Sequence, residues 1–197
     1  MTKTNLPRQY EKDRKIFLIA DQHYNHANII KYSERPFKDV QEMNAALDSN
    51  HQNTVRPTDC TIHIGDFLFG TAEQLIRKMA YLHGTHYLMN GSHDRALEEL
   101  EEQGIPEELN EKIIILPQVF EFQYAGKKIT LHHYAQLRWR ASHHGAVHFF
   151  GHSHGHLNHP GRAIDVGVDC QKFYPVQLDE MIKLAEAKQA FPNHPCR

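Results

Sequence analysis

Cysteine is scarce in this sequence, and the few copies are not spaced for a metal site or a disulfide scaffold. The 197 residues contain three cysteines, Cys60, Cys170 and Cys196, with no Cys-x-x-Cys pair among them. An odd, scattered set argues against both a disulfide framework and a zinc site built from thiolates. Such usage is typical of a reducing compartment, so we predict a cytoplasmic location.

Long apolar runs and a strong net charge are also missing. No run approaches the ~20 residues of a membrane-spanning helix, and the polar segment 1–15 does not look like a signal peptide. The net charge of −2 gives no field that would attract a nucleic-acid polymer or an anionic membrane, although a nucleotide-sized substrate is compatible with it. We expect neither a membrane nor a nucleic-acid polymer as a partner.

The rest of the composition is that of a globular protein. Hydrophobic residues make up 40% of the chain and charged residues 23%, and the length suits one domain. We predict a polar lead-in at 1–15, a single domain at 16–191 and a loose tail at 192–197. The sequence does not predict an oligomeric state.

The order of apolar segments predicts an α/β protein in the broad sense, of the α+β type. Strands alternate with helices early in the chain and follow one another later, which favours two packed sheets with helices outside. Asp39 and Thr71 are predicted helix N-caps, and Ala125-Gly126 is a predicted hairpin turn. The predicted strands are 16–20, 60–64, 87–89, 119–124, 128–133, 147–150 and 163–168, and the predicted helices are 28–32, 39–50, 71–82, 94–103 and 178–190.

Histidine is abundant, with 17 copies, and many of them stand where a strand ends. Each of five apolar segments runs directly into residue types that bind metals. These are 16–20 before Asp21 and His23, 60–64 before Asp66, 87–89 before Ser92, His93 and Asp94, 129–131 before His132 and His133, and 147–150 before His152 and His154. Any one of these could be a turn with a surface histidine, but five together predict one shared metal site with Asp66 at its centre.

Spacing refines the choice of ligands. Residues two apart in extended backbone point the same way, so Asp21 with His23, and His152 with His154, can each reach one ion. His132 and His133 are adjacent and face opposite sides. His133 shares a face with the apolar Leu131 and is therefore the better ligand candidate.

The pair His93-Asp94 is predicted to act on the substrate. Asp94 at the start of a helix could accept the ring N–H of His93 and fix the imidazole, which would then stabilise charge or protonate a departing oxygen. The alternative for Asp94 is a simple helix N-cap, and it could do both.

In this order, the five stretches resemble the calcineurin-like metallophosphoesterase family. That family's pattern reads Asp-x-His, Gly-Asp, Gly-Asn-His-Asp or Gly-Asn-His-Glu, His, and Gly-His-x-His. The resemblance covers about 16–154, and the flanking Arg35-Pro36-Phe37 and the segment 165–176 look like a small single-domain bacterial or phage branch. It implies a two-sheet sandwich with helices on both outer faces and a dinuclear metal centre.

The resemblance also implies a ligand set and a reaction. The first ion would take Asp21, His23, His154 and the bridging Asp66, and the second would take Asp66, Ser92, His133 and His152. The cofactors would be two divalent transition metal ions, Mn, Fe, Zn, Co or Ni, with the identity left open. The expected activity is hydrolysis of small phosphate esters, phosphodiesters (cyclic nucleotides included) more than phosphomonoesters, by a metal-activated hydroxide.

Ser92 departs from the family pattern, which has asparagine there. A hydroxyl reaches less far than an amide oxygen, so the second ion would be bound more weakly. Asn90 is an alternative ligand, although the backbone register disfavours it. The alternative function is therefore a metallophosphoesterase-fold binding module with weakened catalysis.

Several side chains near the motifs have open roles. His156 continues the alternation after His154 and is the best candidate for a substrate contact. Arg35 and Arg95 could bind phosphate oxygens, or be ordinary surface arginines. Trp139, between two arginines, could stack on a base or fill a pocket between loops.

Overall fold

The structure is a computed structural model and describes residues 13–190. Most of the predicted lead-in 1–15 and the whole predicted tail 192–197 lie outside these residues. The described chain forms a mixed α/β fold with two mixed sheets and five α-helices. The helices are α1 (Ala27–Tyr32), α2 (Val40–Thr54), α3 (Ala72–Tyr81), α4 (Arg95–Gln103) and α5 (Leu178–Ala187). The strands are β1 (Ile16–Ile19), β2 (Cys60–Ile64), β3 (Thr85–Met89), β4 (Ile113–Ile115), β5 (Val119–Tyr124), β6 (Lys127–His132), β7 (Val147–Phe150), β8 (Ala163–Asp165) and β9 (Val176–Gln177).

The first sheet has five strands in the order β4-β3-β2-β1-β9. β1 to β4 run parallel, and β9 is antiparallel to β1. Every residue of β1 and β2 is buried, as expected for parallel strands covered on both faces. Since parallel strands share a direction, the carboxyl ends of β1, β2 and β3 lie at one edge of this sheet.

The second sheet has four strands in the order β5-β6-β7-β8. β5 and β6 form the predicted hairpin, and Ala125 and Gly126 at its tip have φ of 48° and 78°. Two successive left-handed residues are what a tight two-residue hairpin requires. β6, β7 and β8 are parallel, so their carboxyl ends also lie together.

Two large apolar cores hold these layers. One joins residues of both sheets, including Leu18, Ile62 and Phe149, all 0% exposed. The other packs the opposite face of the first sheet against helices α1 to α4. Truncating one such buried side chain to alanine costs on the order of 2–5 kcal/mol.

The two predicted helix caps are confirmed. The Asp39 side chain accepts from the backbone N–H of Glu42, and Thr71 forms a reciprocal capping box with Gln74. None of the helices within residues 13–190 is long and apolar enough to span a membrane.

Three features differ from the predictions. The short strands β4 and β9 were not predicted, because three and two residues carry too little periodicity to be recognised. The predicted strand 163–168 ends at Asp165, and Val168–Cys170 form a 3-10 turn. Helix α5 buries Leu178 and Ile182 in the core that joins both sheets, instead of covering the outer face of the second sheet.

Trp139 covers part of that outer face. It packs with Phe150 and Ala163, is 7% exposed, and donates its indole N–H to Ala146 O at 3.1 Å. Of its two alternatives, pocket filling is therefore correct and base stacking is wrong.

Candidate metal centre

The topology brings the five motif stretches to one place. Asp21, Asp66 and Ser92 follow β1, β2 and β3, while His133 and His152 follow β6 and β7. Backbone hydrogen bonds connect the stretches at this edge: Asp21 N–H donates to Gly65 O at 3.1 Å, and Gly151 N–H donates to His133 O at 3.0 Å. In open α/β sheets, ligands bind at such carboxyl ends.

Two groups of potential metal ligands form there. Asp21, His23 and His154 make one group, and Asp66, His133 and His152 make the other, with the ligand atoms of each group within 4.8 Å of one another. Asp66 lies between them, since its Oδ2 is 3.6 Å from His23 Nε2 and 3.5 Å from His133 Nε2.

The ring nitrogens that face Asp66 are suited to metal ions. His23 Nε2 and His133 Nε2 are buried and have no hydrogen-bond partner among residues 13–190. His133 Nδ1 lies 2.9 Å from the Ile64 carbonyl, which only accepts, so the ring proton sits on Nδ1 and the Nε2 lone pair faces a carboxylate. A buried polar atom without a partner costs ~1–3 kcal/mol. A divalent cation beside each nitrogen would satisfy that nitrogen and the shared carboxylate, and imidazole with carboxylate suits Mn, Fe, Co, Ni or Zn.

The environment sets the charge of these groups. Burial lowers the pKa of His23 to about 3, which keeps its ring neutral. Burial also lowers the pKa of His133, but the Asp66 carboxylate outweighs it, so this pKa lies above its ordinary value. A proton and a metal ion would therefore compete for His133 Nε2.

Five of the ligand-type residues have a left-handed backbone. Their φ values are 58° at Asp21, 52° at His23, 54° at Asp66, 66° at His152 and 45° at His154. This conformation is uncommon for residues other than glycine and costs on the order of 1–3 kcal/mol each. Strain concentrated on these residues indicates that the surrounding fold holds their side chains in one orientation.

Two motif glycines make room for the carboxylates. A Cβ atom at Gly151 would lie 2.6 Å from Asp21 Oδ2, and one at Gly91 would overlap Asp66 Oδ1. The glycines are therefore needed because the backbone approaches the carboxylates closely.

Asp21 also ties the two groups together. Both of its oxygens lie 2.9 Å from the backbone N–H of His152, which belongs to the other group. Burial raises the pKa of Asp21 to about 7, although the nearby His133 and His154 lower it.

Asp94 has a different role from the predicted one. Its carboxylate accepts backbone N–H groups from Asp66 at 2.6 Å, Phe67 at 2.7 Å and Gly91 at 2.8 Å. These bonds occupy the carboxylate, so it fixes the loop that carries Asp66 instead of orienting the His93 ring. The capping alternative is correct about the position, because Asp94 is the N-cap residue of α4, although its side chain makes no cap hydrogen bond.

His93 and Ser92 both contact Asp66. The backbone N–H of His93 donates to Asp66 Oδ1 at 2.9 Å, and the Ser92 hydroxyl donates to Asp66 Oδ2 at 3.0 Å. Both residues are exposed. The Asn90 side-chain oxygen is buried without a hydrogen-bond partner in the described part of the chain, so it remains an alternative to Ser92 as a ligand.

Arg35 has a different role from the predicted substrate contact. Its guanidinium is fully buried and donates to both oxygens of Asp169 at 2.8 Å and to the backbone carbonyls of Asp21 at 2.7 Å and Gln22 at 3.0 Å. Asp169 Oδ2 in turn lies 2.7 Å from His154 Nδ1, which leaves Nε2 of His154 free for a metal. This chain of contacts orients one ligand and supports the loop of two others.

A second buried chain was not predicted. Gln22, between two ligand-type residues, turns inward and donates to His63 Nδ1 at 2.7 Å. His63 Nε2 lies 3.1 Å from His86 Nδ1, and His86 Nε2 lies 3.4 Å from Leu82 O. One set of tautomers, with each histidine donating from Nε2, is consistent with all three contacts.

A cavity of about 400 Å³ opens beside these groups. Asp66, His23, His93, His152, His154 and the predicted substrate contact His156 line it, together with residues of α1 and the segment next to it. Arg95 does not line it; its side chain is 86% exposed and pairs with Glu99 at 3.3 Å.

Comparison with known proteins shows a relative that matches most of the chain. No protein-family model matches the chain. The chain is 33% identical over 184 residues to the uncharacterized protein MJ1445 of Methanocaldococcus jannaschii, and the match spans 88% of this chain and 92% of that protein. The chain belongs to the same family as this archaeal protein. The relative has no described activity, so the membership assigns none.

One solved structure supports the fold. A protein of unknown function from Aquifex aeolicus, AQ665, matches with a TM-score of 0.64 at 24% identity, covering 87% of this chain and all of that chain. A structure described as a novel archaeal phosphodiesterase matches with a TM-score of 0.46 at 19% identity, over 78% of this chain and 83% of that chain. The first likeness shows the fold alone, and the second is too low to support an argument.

Proposed function

We propose that this protein is a dinuclear metal-dependent phosphoesterase with a two-sheet fold of the calcineurin-like metallophosphoesterase type. One observation carries the proposal. Asp66 Oδ2 lies 3.6 and 3.5 Å from two buried imidazole nitrogens, His23 Nε2 and His133 Nε2, that have no hydrogen-bond partner among residues 13–190. Such a carboxylate is suited to bridge two cations.

The residues divide into two sets around that carboxylate. Asp21, His23 and His154 would hold the first ion, and His133, His152 and Ser92 the second, with Asp66 shared. When bound, two divalent ions would supply Lewis-acid activation of the phosphate ester and of water. The cytoplasmic location predicted from cysteine usage belongs to the same proposal.

His93 is proposed as the group that moves a proton. Its backbone N–H is fixed by Asp66 Oδ1 at 2.9 Å, and its ring lines the cavity. A ring N–H of His93 would donate to the oxygen that leaves phosphorus, a step worth ~10²–10⁴-fold in rate. Asp94 supports this step indirectly, because it fixes the loop of Asp66.

Phosphodiesters are proposed in preference to phosphomonoesters. Among the described residues that line the cavity, none is lysine or arginine. A monoester carries about two negative charges near neutral pH and gains more from added cationic groups than a singly charged diester does. This charge balance supports diesters, cyclic nucleotides included.

The alternative is a binding module with weakened catalysis. The Ser92 hydroxyl is engaged by Asp66 Oδ2 at 3.0 Å and is shorter than an amide. That engagement supports a second ion with one ligand fewer.

Two measurements on one preparation, metal content and hydrolysis of bis(4-nitrophenyl) phosphate, distinguish the enzyme from the binding module. The enzyme hypothesis predicts two ions per chain and metal-dependent release of nitrophenol that is lost in Asp66→Asn. Asp48→Asn, which removes a carboxylate paired with Lys78, is the matched control. This variant should keep both the two bound ions and the metal-dependent hydrolysis. One bound ion without turnover would favour the binding module, and no bound ion would contradict both hypotheses.

A further inference from the structure

A continuous row of aromatic rings leads from the metal centre to the surface beside helix α1. The ring of His93 lies 5.3 Å from that of Phe69, and Phe69 stacks on His26 at 3.9 Å with the planes 19° apart. His26 meets Tyr32 edge-on at 6.3 Å. We call these four residues the aromatic wall.

The outer end of the wall is open to a ligand. Tyr32 lines the cavity and is 71% exposed, while Ile29 beside it is buried and supports the helix. An exposed aromatic ring at the mouth of a cavity offers a flat apolar face. Tyr32 and His93 line the same cavity, and His93 is the residue proposed to act next to the reacting phosphorus.

The charged residues of the cavity lining indicate which class of ligand would fit. The described lining contains no lysine or arginine, so no permanently charged side chain there would pair with a second phosphate group. A ligand that fits would have one phosphate at the metal centre and an uncharged planar group on the wall.

We propose that the aromatic wall binds a nucleobase or a similar planar ring carried by a phosphodiester substrate. The proposal rests on the proposed function and names the substrate class. In the reaction, the oxygen of water forms a bond to phosphorus, and the bond from phosphorus to the leaving oxygen breaks. His93 gives a proton to that oxygen and regains one from the water, so that a diester and water yield a monoester and an alcohol.

Two cyclic diesters with the same reacting group test this proposal. Adenosine 2′,3′-cyclic phosphate carries a base, and glycerol 1,2-cyclic phosphate does not. Stacking of a base on an aromatic side chain is worth ~1–3 kcal/mol, so kcat/KM should favour the adenosine ester by roughly 5- to 150-fold. Phosphorus NMR measures the monoester formed from each.

Variants of Tyr32 assign the preference to the wall. Tyr32→Leu keeps the bulk but removes the ring, and it should reduce the preference severalfold, mainly through KM. Tyr32→Phe keeps the ring and should retain the preference. Tyr81→Leu changes another exposed tyrosine, 58% exposed on α3 and outside this cavity, and should have no effect.

The outcomes separate this proposal from the proposed function. Equal kcat/KM for the two esters, or a preference unchanged by Tyr32→Leu, would overturn the aromatic wall while leaving a phosphoesterase. If neither ester is hydrolysed, hydrolysis of bis(4-nitrophenyl) phosphate decides the proposed function, and calorimetric binding of adenosine 5′-monophosphate to the metal-loaded protein decides the aromatic wall. An affinity that Tyr32→Leu lowers and Tyr81→Leu leaves unchanged would support the aromatic wall. An affinity that Tyr32→Leu leaves unchanged would overturn it.

Discussion

His133 and Asp66 face each other across 3.5 Å, the Nε2 of one against the Oδ2 of the other, without a hydrogen bond between them. His133 Nδ1 is directed at the Ile64 carbonyl, so in the neutral ring Nε2 offers only a lone pair. Both atoms are acceptors, and a cation between them relieves the conflict. The relationship makes the stability of the fold depend on what occupies that position.

Metal removal should therefore destabilise the protein. Free metal at 100 times its Kd adds about 2.7 kcal/mol to the free energy of unfolding. We expect the melting temperature to fall by several degrees after chelation and to recover with Mn²⁺. Asp66→Asn should abolish the difference, and Asp48→Asn should preserve it. A melting temperature that does not change after chelation would contradict a metal-bound centre.

Ser92→Asn should strengthen the second ion. An amide oxygen reaches further than the hydroxyl, and the loss of a supporting metal contact commonly costs ~10–100-fold in affinity or activity. We expect the variant to need less added metal for full activity, as measured by titration with Mn²⁺. Asn90→Ala is the comparison: if it lowers metal content and Ser92→Asn changes nothing, Asn90 is the ligand and our interpretation of Ser92 is wrong.

His93→Ala should reduce the rate and leave metal binding intact. Its ring is proposed to donate a proton, so we expect a loss of ~10²–10⁴-fold in kcat. Elemental analysis of the same sample should still give two ions per chain. Loss of an ion together with the rate would place His93 in metal binding instead.

Asp169→Asn should weaken the first ion. The amide no longer holds His154 Nδ1 as a carboxylate does, and we expect ~10–100-fold lower affinity at this position. It also leaves the buried Arg35 without its ion-pair partner, so stability should fall by about 3–5 kcal/mol. Asp59→Asn breaks another ion pair, with Arg56, away from the centre. That control should lose stability without losing metal, and equal metal affinity in both variants would contradict the role of Asp169.

Stability should decline in mild acid because of buried neutral histidines. Burial lowers the pKa of His51 to about 4, that of His86 to about 3, and that of His63 well below its ordinary value. Below pH ~6.5 the unfolded chain gains protons on these rings that the folded chain does not. The stability they contribute is complete above that pH and is lost as the pH falls towards the folded-state pKa values.

The slope of the free energy of unfolding against pH measures this effect. Each such histidine contributes up to about 1.4 kcal/mol per pH unit between pH 6 and 4. Urea unfolding of His51→Gln should show a shallower slope than the wild type by about that amount. Asn53→Ala, on the same helix, keeps every titratable group and should keep the slope. Parallel curves for wild type and His51→Gln would show that His51 does not contribute.

Much of the fold was predictable from local patterns. The hairpin at Ala125-Gly126 and the caps at Asp39 and Thr71 depend on neighbouring residues alone. His133 could be preferred over His132 because strand residues alternate between faces, and the structure places His133 at 1% exposure.

Other features depend on distant parts of the chain. Arg35 and Asp169 are 134 residues apart, and no local pattern connects them. The sequence predicts that Asp94 binds the ring of its neighbour His93, but its carboxylate accepts hydrogen bonds from backbone N–H groups up to 28 residues away. The left-handed conformations of Asp21 and His152 could not be predicted either, because a pattern of apolar residues does not encode the φ of the residues after a strand.

The most direct test of the central claim is anomalous diffraction from crystals grown with Mn²⁺. The account predicts two peaks, separated by the ~3.5–4 Å typical of two-metal sites, with the Asp66 carboxylate between them. His23 and His133 should lie on opposite ions. A single peak that does not touch Asp66, or two peaks that persist unchanged in Asp66→Asn, would contradict the account.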